Sequence, residues 1–123
     1  MDLIDKSNDE IWKVAIPMMD NLMEGSTEVN WSKHTKQFTE KAKSVVTRAE
    51  LERQCKAYQS THGHFGEREP VGITRHPEYI NVVWKQKMTL TTGEYLAVLT
   101  MVQDGGSYLV ARCWVDLWEP ART

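Results

Sequence analysis

The chain has 123 residues, 41% hydrophobic and 26% charged, with a formal net charge of −2. That length fits a single domain over residues 1–123, within the usual ~100–200 residues per domain, and the composition argues against disorder. A pI near 6.1 provides no basic field for a phosphate backbone, which disfavours nucleic acid as a partner. No apolar run approaches the ~20 residues of a membrane-spanning helix. The opening MDLIDKSNDE lacks the basic and apolar segments of a secretory signal. Cys55 and Cys113 read as small buried apolar residues in a reducing compartment rather than as a disulfide. The cytoplasm is the expected location, and no cofactor or metal is implied.

Ser7-Asn8-Asp9-Glu10 reads as a helix start, with capping residues and acids at the positive end of the dipole. Ile11, Ala15, Met18/Met19 and Leu22 recur at helical spacing, widened by Trp12, Ile16 and Met23. Pro17 lies inside this pattern and should kink the helix, having no N–H to donate. Glu24-Gly25-Ser26 should end it. Asn30-Trp31-Ser32 opens a second, short helical stretch carrying Trp31 and Phe38. Thr47-Arg48-Ala49-Glu50 has the form of a capping box, starting a third helix with Leu51, Cys55 and Tyr58 on one face. It should stop near Thr61-His62-Gly63.

From there the period changes to two, and four strands are predicted over Phe65–Thr74, Tyr79–Leu90, Glu94–Gln103 and Tyr108–Trp118. Short turns at His76-Pro77-Glu78, Thr91-Thr92-Gly93 and Asp104-Gly105-Gly106-Ser107 make these an antiparallel meander. Helices first and strands after is the α+β order.

Tight turns decide which residues share a face, because side chains alternate along each strand. One face then collects Phe65, Glu67, Val71, Ile73, Ile80, Val82, Trp84, Gln86, Met88, Leu90, Tyr95, Ala97, Leu99, Met101, Tyr108, Val110, Arg112, Trp114, Asp116 and Trp118. The helices should pack there. The other face holds His64, Arg68, Asn81, Lys85, Lys87 and Thr89 on the first two strands. On the last two it turns apolar, with Leu96, Val98, Val102, Leu109, Ala111, Cys113, Val115 and Leu117. One helical layer cannot cover both faces, and a contiguous apolar surface usually marks an interface. A homodimer through Leu96, Val98, Leu109, Ala111, Cys113 and Val115 follows.

The order of segments carries a resemblance. The helix from Ile11 to Met23 leads into Asn30-Trp31…Phe38-Thr39, then Val46-Thr47-Arg48-Ala49-Glu50-Leu51, then Thr61-His62-Gly63-His64-Phe65 at the first strand. Over residues 7–118 this resembles the nuclear-transport-factor-2-like (cystatin-like) superfamily, and is similar to a small, uncharacterised bacterial branch of it. The resemblance implies helices and a curved sheet enclosing a conical cavity, with the outer sheet face often forming a dimer. Some members are isomerases, dehydratases or polyketide cyclases, and others only bind. Their catalytic acids and bases match no motif here.

Two groups of residues invite a chemical reading. His62 and His64 would point the same way on a strand, as zinc ligands can, but His76 is twelve positions past His64, roughly 40 Å along a continuous strand. A wet strand entrance is the favoured reading. Arg112 and Asp116 share their expected face with Trp84, Gln86, Tyr95, Trp114 and Trp118. Apolar walls with a few convergent polar groups describe a pocket for a small apolar or aromatic ligand. In an enzyme Asp116 would serve as a general base and Arg112 would stabilise an oxyanion. The alternative is a rim salt bridge beside core tryptophans.

Overall fold

A computed structural model describes residues 5–117. Ser7 caps α1 (Asn8–Thr27) with a reciprocal box: its side chain accepts from the Glu10 amide while the Glu10 side chain bonds the Ser7 backbone. The helix runs on as one element through Pro17, which lies on its exposed side. The stretch after Asn30 divides in two, α2 (Trp31–His34) and α3 (Glu40–Val45), so four helices rather than three occur among the described residues. The Asn30 and Thr39 side chains each cap the helix that follows, and caps of this kind are worth ~1 kcal/mol. Thr47 caps α4 (Arg48–Thr61) by accepting from the Glu50 amide at 3.2 Å. The Glu50 carboxylate instead turns to Arg53 Nε at 2.9 Å and to Gln54, and those bonds hold it at about 2.

The sheet is an antiparallel meander in the order β1-β2-β3-β4, with β1 Phe65–Arg75, β2 Ile80–Met88, β3 Tyr95–Asp104 and β4 Ser107–Val115. β2 alternates cleanly between buried and less buried positions, and Ile80, Val82, Trp84, Gln86 and Met88 all point under the helices. On β3, Ala97, Leu99 and Met101 do the same. The tight turn Gly105-Gly106 pairs Asp104 with Ser107, one of the two arrangements the sequence allows.

The outer strands break step. In β1 the register slips between Phe65 and Arg68 and again between Pro70 and Gly72. In β4, Met101 faces Val110 while Thr100 faces Arg112, leaving Ala111 as an extra residue. A bulge inserts one residue on one strand only, so the alternation beyond it is inverted.

The core lies between α1 and the sheet. Ile11, Ala15, Met18, Met19, Leu22 and Met23 meet Ile80, Val82, Trp84, Ala97, Leu99, Met101 and Val110. Fully burying one large apolar side chain is worth ~1.5–3 kcal/mol, whereas a surface pair such as Lys6–Glu10, at 3.8 Å, is screened by water. Packing therefore dominates. Residues 37 and 39 add a short parallel bridge to β4, with Val110 N–H donating to Gln37 at 2.7 Å and Thr39 N–H donating to Val110 at 3.0 Å. Among the described residues no helix is long and apolar enough to cross a membrane.

Candidate functional site

The bulge at Ala111 separates the residues expected to form a pocket. Arg112 and Trp114 pair with Thr100 and Val98 and point away from the helices. Trp84 pairs with Ala97 and points toward them. Trp84 and Trp114 thus occupy opposite sides of the sheet, and the expected convergence of Arg112, Trp114 and Asp116 with Trp84 and Gln86 does not form. Asp116 follows the end of β4 as an exposed residue whose amide donates to Leu96 O at 2.8 Å. Trp118 lies outside the described residues. Tyr95 is half-buried; its hydroxyl donates to Thr91 Oγ1 at 2.9 Å and its ring meets the His62 ring edge-on at 5.5 Å.

The same inversion corrects the expected dimer face. Cys113 and Val115 pair with Leu99 and Ala97 and pack against the core. The Cys113 thiol reaches Met19 Sδ at 3.8 Å, and burial pushes it up to about 12. Leu96, Val98 and Leu109 face outward as expected, and Ala111 is half-buried at the bulge. Trp114 takes the place that the inverted pair vacates. Cross-strand partners now form rows over the outer face: Gly72–Val83–Val98–Trp114, then on one side Thr74–Asn81–Thr100–Arg112 and on the other Glu69–Lys85–Leu96. The central row is apolar, with Trp114 38% exposed and Val98 6%, and Leu96 in the flanking row is 42% exposed. Thr100 donates to Asn81 Oδ1 at 2.7 Å within the polar row. Beyond Leu96 the face is charged, and Glu67, Glu69, Lys85, Lys87 and Glu94 line a recess of about 300 Å³. Lys85 and Glu94 approach to 3.9 Å there.

Inside the sheet a polar group appears that strand alternation hides. The bulge at Gly66 and Glu67 turns Arg68 under the helices, where it pairs with Gln86 in register and forms an ion pair with Asp20 of α1. Gln86 has no exposed surface. Its Nε2 donates to Gly66 O at 3.0 Å and Lys87 O at 2.9 Å, and its Oε1 accepts from Arg68 at 3.4 Å. A buried amide is costly unless bonded, and here its bonds hold the bulge. Two glycines and a proline within Gly66–Gly72 were the available signal, because such residues in a strand mark bulges.

The histidines do not converge. His62 ends α4, is buried, and bonds Thr61 Oγ1 at 2.7 Å through Nδ1, whereas His64 is exposed. Gly63 separates them at φ +82°, so they are not neighbours on one strand face. His34 is also buried. Its Nδ1 lies 2.8 Å from Leu22 O, and desolvation lowers its pKa below the usual imidazole value. Neither a protein-family model nor a curated protein matches the sequence.

Proposed function

We propose that the protein is an accessory domain of nuclear-transport-factor-2-like architecture that pairs with a second copy of itself through the outer face of β2–β4. The observation that carries this reading is the apolar row Val83–Val98–Trp114 with Leu96 beside it, on the side of the sheet away from the core. Three strands about 4.8 Å apart and roughly 30 Å long offer about 430 Å² in plan, about half of the ~800 Å² per partner of a standard interface. The face suits a copy of itself because it carries both signs of charge, with Lys85 and Lys87 near Glu69 and Glu94 and with Arg112 across the apolar row. Lysine and glutamate at the rim would orient the two copies more than they would tighten them. An isomerase or dehydratase built on Asp116 and Arg112 loses its support, since both leave the pocket side of the sheet.

Sedimentation velocity over a concentration series tests the reading. The wild type should move as a species of twice the 14.2 kDa chain mass, and Trp114→Glu should move as the single chain with an unchanged circular dichroism spectrum. A wild type that stays monomeric at its highest soluble concentration refutes the proposal, as does a dimer indifferent to Trp114→Glu.

A further inference from the structure

We propose that the seam between α1 and β1 binds a small amphipathic monocarboxylate, with Arg68 as the carboxylate receptor and Asp20 as the resident counter-ion that the ligand displaces. Asn8, Trp12, Ile16 and Asp20 repeat every four residues, so they share one flank of α1. Both ends of that flank are fastened to β1: Arg75 donates to Asn8 Oδ1 at 2.7 Å, and Arg68 pairs with Asp20. Between the ends the flank is apolar. Trp12 is half-buried, edge-on to Trp84 with ring centroids 5.5 Å apart, and Ile16 is 40% exposed. On the strand, Pro70 pairs with Trp84, and half-buried Ile73 packs against the core. The seam is thus a greasy strip with a guanidinium at one end.

The two members of the ion pair are unequally held. The Arg68 side chain is 14% exposed and that of Asp20 is 53% exposed. An exposed carboxylate returns to water at little cost, as in other surface pairs. A largely desolvated guanidinium still requires an anion, and its fork accepts a carboxylate bidentately. Gln86 and the bulge hold Arg68 in place beforehand. From Asp20 back to Trp12 is about 12 Å at 1.5 Å per residue, a span for an apolar tail that would cover Ile16. The apolar flank of α1 lies on the helix-covered side, while Arg68 and Pro70 also border the charged recess of the outer face.

Octanoate, with 1-octanol as a tail-only control, tests the proposal by nitrogen-15 NMR titration of the wild type, Asp20→Asn and Arg68→Gln. Octanoate should shift the Trp12 indole and Arg68 side-chain signals, and octanol should not. Removing the competing carboxylate in Asp20→Asn should tighten octanoate binding by up to about fivefold, the change that ~1 kcal/mol represents, while Arg68→Gln should abolish it. Should Arg68→Gln fail to fold, Asp20→Asn alone decides. A pair with only a structural role would lose stability in that variant with no gain in affinity. No binding, equal binding of octanol, or unchanged affinity in Asp20→Asn overturns the proposal.

Discussion

Replacing Gln86 with leucine should expose how much the fold depends on one buried amide. Leucine keeps most of the volume and removes every polar contact. The carbonyls of Gly66 and Lys87 each lose a donor, at 3.0 and 2.9 Å, and Arg68 loses its 3.4 Å acceptor. A buried polar group left without a partner costs ~1–3 kcal/mol, and the third bond is long and contributes least. The burial of leucine, worth ~1.5–3 kcal/mol, offsets part of the loss, leaving a net destabilisation of about 1–3 kcal/mol. At ~4 °C per kcal/mol for a chain of this size, Tm should fall by about 4–12 °C. Urea denaturation followed by circular dichroism supplies the free energy, and amide exchange supplies the location, with Gly66 to Arg68 losing protection first. A variant within about 0.5 kcal/mol of wild type, the scatter of ordinary surface changes, would refute the view that Gln86 anchors the bulge.

Gly25→Ala should destabilise despite the ~1 kcal/mol that alanine ordinarily gains over glycine within a helix. A Cβ there would stand 2.6 Å from His34 Cα and against its backbone nitrogen, so α1 and α2 must separate; overpacking of this kind costs ~1–3 kcal/mol, readable as a lower urea midpoint. His34 should titrate below its usual 6.5 because burial disfavours the cation. The unfolded chain then takes up a proton first as pH falls through 6.5, so stability is complete above that value and declines below it until folded His34 itself is protonated. Proton NMR of the imidazole together with urea midpoints at neutral pH and at about pH 5 checks the direction. With its thiol pushed up to about 12, Cys113 should resist alkylation in the native protein and react on unfolding, because the thiolate is the nucleophile; mass spectrometry with and without denaturant reads this directly.

Legibility in the sequence followed the turns. β2 and β3 sorted correctly because neither carries an extra residue, so the alternation from Ile80 to Met88 and from Tyr95 to Met101 holds throughout. β4 sorted correctly up to Val110 and inverted after Ala111. Nothing in Val-Ala-Arg-Cys-Trp marks the bulge, since the segment alternates plausibly either way and lacks glycine. β1 gave more warning through Gly66, Pro70 and Gly72, yet their spacing does not say which residue is the extra one. Arg68 therefore read as a solvent-facing strand residue, and Trp114 and Arg112 as pocket residues. Both interior and exterior sites moved by the same cause, a one-residue insertion in a period of two. The helical half was read more faithfully. Helices open at Ser7, Asn30 and Thr47 as expected, whereas the Thr39 cap and the break between α2 and α3 are unexpected. That break depends on residues 37–39 bridging to β4, a tertiary contact no local pattern contains.

The irregularities of β1 also bear on what kind of assembly the protein can enter. With two bulges and Pro70 in an edge strand, that margin offers an interrupted ladder to any incoming strand, and at the opposite margin Val110 is already occupied by the segment around Phe38. Growth by strand addition, which has no natural end, is hindered along both rims. Stacking on the flat side consumes the surface it uses and stops at two. If the outer face self-associates as proposed, blunted rims would favour a closed pair over a fibre.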